Sequence, residues 1–181
     1  MVFFTKHDRG GIDMKVLIVV DMQKDFIDGS LGSKEAQAIV ENVRDKIKNF
    51  DGKVFFTRDT HHEDYRDTFE GKNLPVSHCI ENTEGWEINA GLKDLTGNAT
   101  VINKPTFGFT GWASVIGETP ESIEICGLCT DICVISNALI LRAIYPEVPM
   151  TADSSCCAGV TPEKHEAALN VMESCQIRVI R

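Results

Sequence analysis

Three side chains far apart in the chain have the types that nucleophilic catalysis needs: Asp21, Lys104 and Cys133. Asp21 closes the apolar run VLIVV (16–20), Lys104 follows ATVIN (99–103), and Cys133 lies just past SIEIC (122–126). If each run is a strand, all three stand at strand carboxyl ends, where open α/β folds place their ligand crevice. A thiol attacks as thiolate; a neighbouring cation favours that form, and a carboxylate can accept and return the proton. With Gly127 turning the chain, Thr130 or Asp131 is placed to cap a helix. Cys133 would then lie in the first turn, whose free N–H groups and dipole also favour a thiolate. Pro105 keeps Lys104 out of helical geometry. Taken singly, Asp21 reads equally well as a helix cap and Lys104 as surface decoration, while Asp25, Asp28 and Lys24 read as solvated.

A second group could hold a metal. Asp59 and His61 flank one residue in RDTHHED, just past the run KVFFT (53–57); Glu70 follows, and His78 returns in LPVSHC. Two imidazoles with one or two carboxylates suit a divalent ion such as Zn, Fe or Mn, with positions left for water or ligand. His62, His165 and His7 have structural or solvated readings, and Cys79 should point away from the ligands. Cys126-Gly-Leu-Cys129 forms a C-x-x-C between strand and helix, which keeps open a thiol–disulfide oxidoreductase reading. That motif, however, normally opens a domain about half this size.

The elements that would position these groups follow from periodicity. The runs already named, with VPMT (148–151) and QIRVI (176–180), are apolar on both faces, as buried parallel strands require. Residues 34–49 place Ala36, Ile39, Val40, Val43 and Ile47 on one helical face; 131–143 and 162–174 also read as helices, the latter opened by Thr161 and Pro162. The stretch 58–98 carries only a modest helix candidate near 86–95, and so long a connection is usually functional. The expected fold class is α/β: a single doubly wound domain with a parallel sheet of about six strands and helices on both faces. Residues 14–181 form the domain, and 1–13 read as a leader without assigned function, because MKVLIVVD makes a natural chain start.

Of 181 residues, 18 are Lys or Arg and 27 are Asp or Glu, a formal charge of −9. Nucleic acid and anionic membrane are thereby disfavoured as partners, since both need clustered positive charge. The N-terminal segment puts its apolar run before its basic residues, the reverse of a secretory signal, and VLIVV is too short to span a bilayer. Seven cysteines without such a signal suit free thiols in a reducing, cytoplasmic setting. Cys156 and Cys157 read as core packing. A homo-oligomer is compatible with all of this.

The succession VVDMQKDF, RDTHHED, LPVSHC, NKPTFGF and GLCTDICV resembles the isochorismatase-like cysteine hydrolases over nearly all of residues 14–181. The resemblance implies a six-stranded parallel sheet and an Asp21–Lys104–Cys133 triad. It implies a cis peptide at Leu128–Cys129 that aims the N–H of Cys129, with that of Cys133, at a developing oxyanion. D-x-H followed by P-x-x-H looks like the metal site of the family's nicotinamidases, matching Asp59, His61 and His78, and Glu70 resembles an extra carboxylate ligand of some members. Phe26 and Phe107 match aromatics around a pyridine ring; Leu74 stands where an aromatic is common, and Phe107-Gly108 where Ser-Ala is. The implied activity is hydrolysis of a small amide, nicotinamide foremost, through a thioester. Another small amide or carbamoyl compound is the alternative substrate.

Overall fold

The computed structural model describes residues 14–181, so the leader and His7 lie outside the described residues. Six parallel strands form one sheet in the order β3-β2-β1-β4-β5-β6. They are β1 (Lys15–Val20), β2 (Lys53–Asp59), β3 (Thr100–Lys104), β4 (Ser122–Leu128), β5 (Met150–Ala158) and β6 (Arg178–Ile180). The helices are α1 (Lys24–Ile27), α2 (Lys34–Ala38), α3 (Val40–Asn49), α4 (Phe69–Asn73), α5 (Trp112–Ile116), α6 (Ile135–Ile144) and α7 (Pro162–Ser174). Residues Val16 to Val20 of β1 are all fully buried, which explains a run with no polar alternation: this strand is covered on both faces. Its Ile18 is in register with Phe55 on one side and Ile125 on the other. Strand order runs outward in both directions from the β1–β4 pair, so a crevice opens at their carboxyl ends.

Several elements depart from their expected bounds. The helix over 34–49 is interrupted at Ile39, which separates α2 from α3. Near 86–95 there is no α-helix; two single 3₁₀ turns, Glu84–Trp86 and Lys93–Leu95, take its place. Strand β5 continues past its apolar start through Ser154, Ser155, Cys156 and Cys157, a stretch too polar to read as buried strand. Gly127 does not end β4: the strand runs on to Leu128, with a shift in its pairing to β5 between Ile125 and Gly127. Gly127 has φ 115°, and a Cβ there would run into the Val20 carbonyl oxygen, so only glycine allows β4 to lie this close to the end of β1. The Thr161 cap is as expected, its hydroxyl accepting the Lys164 N–H at 3.3 Å. No described helix is long and apolar enough to cross a membrane.

Candidate active site

Asp21, immediately after β1, has φ 47° and is fully buried. Thr57 of β2 holds it from two sides: the Asp21 N–H donates to Thr57 O and Oγ1, both at 3.2 Å, and the Thr57 hydroxyl donates to Asp21 Oδ1 at 2.6 Å. Lys104, the last residue of β3, is also fully buried. Its Nζ lies 2.6 Å from Asp21 Oδ2, 3.5 Å from Asp59 Oδ1 and 3.6 Å from Cys133 Sγ. Three sequence-distant residues therefore meet around one ammonium. Burial acts to lower the Lys104 pKa, but Asp21, Cys133 and Asp59 together hold it above its ordinary value. Burial pushes the Asp21 carboxyl up, against the opposing pull of Lys104.

Cys133 departs from expectation in two respects. It lies in a π-helical turn, Thr130–Val134, that precedes α6, not in the first turn of an α-helix. Neither Thr130 nor Asp131 caps that turn. The Thr130 hydroxyl pairs with His165 Nδ1 at 2.8 Å, and Asp131 accepts the Val160 N–H at 2.9 Å. The thiol is pushed well above its ordinary pKa by burial and by Asp21, which Lys104 opposes without overcoming. The Leu128–Cys129 peptide just before the turn is cis, as the family resemblance implied.

The expected metal group also assembles. Asp59, His61, Glu70 and His78 each offer one ligand atom, all within 4.8 Å of one another. His61 Nε2 lies 3.0 Å from Asp59 Oδ2 and 3.7 Å from Glu70 Oε1; His78 Nε2 lies 3.7 Å and 3.8 Å from the same two oxygens. The four-atom set fits a divalent ion, and one more detail supports the fit. His78 Nδ1 faces Val76 O at 2.8 Å, which fixes the tautomer and leaves Nε2 as a lone-pair donor toward the group. Burial acts to raise the Asp59 carboxyl, yet His61, His78 and Lys104 hold it well below the usual carboxylate range.

The long connection 58–98 is folded around this group by backbone bonds. His61 N–H donates to Cys79 O at 3.0 Å and Glu81 N–H to His61 O at 2.8 Å, which brings His78 back beside His61. Four residues not expected at the site secure it. Gln23 is fully buried; its Oε1 accepts the Asp59 N–H at 2.7 Å, while its Nε2 donates to Asp59 O and Trp86 O, both at 2.9 Å. Asp25, expected to be solvated, instead accepts the Cys79 N–H at 2.8 Å. Tyr65 packs its ring against both imidazoles at 4.5 and 5.0 Å and donates its hydroxyl to Leu74 O at 2.9 Å. Asn137 ties the Cys133 carbonyl to the loop after Lys104. Two of the four carry a faint sequence signal: Gln23 lies two residues past Asp21, and Asn137 four past Cys133, on the same helical side.

A cavity of about 540 Å³ opens onto Cys133, Asp59, Glu70 and His78, walled by Phe26, Leu74 and Phe107. Phe26 also packs on His78 at 5.4 Å. Asp21 and Cys133 thus meet at the Lys104 ammonium, Asp59, His61, Glu70 and His78 form one group, and Cys129, Phe26, Leu74 and Phe107 line the cavity. Others are excluded. His62 is exposed beside Glu81, and Cys79 is buried outside the ligand group. Cys126 is fully buried in β4 with its thiol pushed far up by burial, so Cys126 and Cys129 lack the exposed, acidic thiol an oxidoreductase pair requires. Cys156 and Cys157 are buried on β5.

Residues 15–181 match the isochorismatase domain family. No curated protein matches the sequence. Among solved structures, the zinc complex of the pyrazinamidase of Pyrococcus horikoshii is 30% identical, covering 92% of this chain and 98% of that one, with a TM-score of 0.79. The nicotinamidase/pyrazinamidase of Bacillus subtilis is 27% identical over 93% of this chain and 100% of its own, with a TM-score of 0.78. A protein of L. infantum solved with nicotinate shares the fold at 22% identity, covering 93% of each chain, with a TM-score of 0.82.

Proposed function

The chain belongs to the isochorismatase family of hydrolases, and from that premise we propose that it is a cysteine amide hydrolase whose substrate is nicotinamide, released as nicotinate and ammonia. One observation carries the proposal: Lys104 Nζ bridges Asp21 and Cys133, and the cavity onto which Cys133 opens is also lined by Asp59, Glu70 and His78, three of the four grouped candidate ligands. The pyrazinamidase and nicotinamidase relatives support the substrate class.

In this reading Asp21 takes the thiol proton as Cys133 Sγ attacks the carboxamide carbon. Lys104 stays charged and balances the negative charge that passes from Asp21 to the thiolate. The N–H groups of Cys129 and Cys133 receive the oxyanion. As the C–N bond breaks, Asp21 returns its proton to the departing nitrogen, and ammonia leaves a thioester. Water then attacks the thioester carbon and gives a proton to Asp21. The C–S bond breaks, the acid departs, and the Asp21 proton returns to sulfur. Asp59, His61, His78 and Glu70 would hold a divalent ion, which would supply Lewis-acid chemistry for anchoring the ring. Phe26, Phe107 and Leu74, which line the cavity, would pack on the ring and exclude water. Holding the carboxamide in line with sulfur can lower the barrier by several kcal/mol. Seven free thiols suit a reducing, cytoplasmic setting for this chemistry.

The test is ammonia release from nicotinamide with and without chelator, alongside Cys133→Ala. Turnover that needs both metal and Cys133, with the Cys133→Ala variant folded and still binding metal, is the expected result; substantial activity of that variant overturns the nucleophile. Lys164 favours a second substrate: among the described cavity-lining residues it is the one cation, placed to meet the carboxylate of a carbamoylated amino acid. Faster turnover of such a compound than of nicotinamide would transfer the enzyme to that class.

A further inference from the structure

Asn137 lies one helical turn beyond Cys133, is fully buried, and uses all four hydrogen-bonding positions of its amide. Its Oδ1 accepts the Phe109 N–H at 2.9 Å and the Trp112 indole N–H at 3.0 Å. Its Nδ2 donates to Phe107 O at 3.1 Å and to Cys133 O at 2.8 Å. Both partners of the oxygen are obligate donors and both partners of the nitrogen are carbonyls, so the orientation of the amide is determined by its surroundings. On one side these bonds reach the residue that carries the thiol. On the other they reach the loop after β3, whose Phe107 walls the cavity and whose Thr106 carbonyl accepts from Lys104 Nζ at 3.1 Å. The loop has no regular backbone pairing with α6. Gly108 brings it near, since a Cβ there would meet Ile140 Cδ1 at 2.5 Å, but close approach alone sets neither the register of Phe107 nor that of Cys133.

From this juxtaposition we infer that Asn137 is a positioning residue for the reaction: it locks the Cys133 turn and the Phe107 loop to each other, so that thiol, ammonium and substrate wall keep one geometry. The inference rests on Cys133 being the nucleophile. Buried amides that satisfy every bond specify a single arrangement, and partly satisfied ones do not. Asn137→Asp keeps the shape and the acceptor but turns an oxygen toward two carbonyl oxygens, opposing both donated bonds at once. Asn137→Ser is the rescue variant. Its hydroxyl can bond back to the carbonyl one turn earlier, that of Cys133, but is too short to reach the loop.

The experiment measures Cys133 alkylation by iodoacetamide against pH, together with kcat and KM for nicotinamide, in the wild type and both variants, well below their unfolding temperatures. Asn137→Asp is expected to displace the alkylation pH profile and to lower kcat by on the order of 10–100-fold, the penalty of a small misplacement of reacting groups. Asn137→Ser is expected to retain the wild-type alkylation profile, with KM raised several-fold because Phe107 is no longer held. A purely stabilising residue would lower the unfolding temperature and leave profile, kcat and KM in place in the folded variants, and that result overturns the inference. If Asn137→Asp does not fold, Asn137→Ser decides: wild-type KM refutes the role, and a raised KM with intact alkylation supports it. Alkylation needs no substrate, so a wild type inactive on nicotinamide refutes the proposed substrate while the pH profiles still decide the role of Asn137.

Discussion

At the scale of single residues, the site is a problem of charge placed out of water. Asp21, Lys104 and Asp59 are almost completely buried, and one ammonium faces two carboxylates. Removing a buried partner leaves uncompensated charge, so Lys104→Met is expected to cost about 3–5 kcal/mol of stability as well as activity; the urea midpoint measures it. Asp21→Asn should act in the opposite sense on the thiol. Burial raises Cys133 most and Asp21 adds to that, while Lys104 opposes both. Deleting the carboxylate therefore lets the thiolate form at lower pH. Alkylation of Cys133 at neutral pH should become faster in Asp21→Asn even as amide turnover disappears, and a slower alkylation would contradict the balance of charges described here.

At the scale of elements, two contacts hold the strand ends in place. Gly127 lets β4 cross close to the Val20 carbonyl with φ 115°. Gly127→Ala must strain a left-handed position, at about 1–3 kcal/mol, before the steric contact is counted. It should lower the unfolding temperature and reduce turnover together, because the moved strand leads into Cys129 and presses on Val20, the residue before Asp21. Away from the site, Lys46 on α3 reaches Glu124 on β4 at 2.7 Å and Asp153 on β5 at 2.9 Å. Burial acts to raise the Asp153 carboxyl, but the Ser155 hydroxyl and Lys46 hold it below the ordinary value. A carboxylate depressed in the folded state contributes stability that is fully present above its unfolded pKa of about 3.9 and is lost as pH falls through the lower folded value. Asp153→Asn should accordingly cost between about 1 kcal/mol, as for an exposed pair, and about 3 kcal/mol, as for a buried one, at neutral pH. The difference from wild type should shrink in denaturation curves as pH falls below that unfolded value.

At the scale of the whole molecule, the order β3-β2-β1-β4-β5-β6 converts residues scattered over more than half the chain into one crevice. β1 delivers Asp21, β2 Asp59, β3 Lys104, and the turn after β4 delivers Cys133. The connection 58–98 has little regular structure, so its order depends on Gln23, Asp25 and the His61–Cys79 backbone bond. A divalent ion on Asp59, His61, Glu70 and His78 would bind the folded chain and not the unfolded one. Loading at a hundred times the dissociation constant then adds about 2.7 kcal/mol. Chelation should lower the unfolding temperature of the wild type and leave that of a His78→Ala variant unchanged, as differential scanning calorimetry can show.

What the sequence determined by itself is local and periodic. Apolar runs such as VLIVV announce strands covered on both faces, Thr161-Pro162 announces a helix start, and polar residues just past such runs announce a crevice, because each signal is carried by neighbouring residues. The types of Asp21, Lys104 and Cys133, and of the four candidate ligands, likewise stated the chemistry available. What only the tertiary structure decided are the long-range contacts. That one ammonium serves both Asp21 and Cys133 depends on strand order, and the high pKa of Cys133 on burial by elements remote in sequence. The polar continuation of β5 past its apolar start was illegible because its pairing with β4 and β6, and not its own pattern, makes it strand. Asp25 was illegible for the same reason, and Asn137 and Gln23 nearly so: an amide or carboxylate reads as surface until the backbone groups it satisfies have been brought to it from elsewhere in the chain.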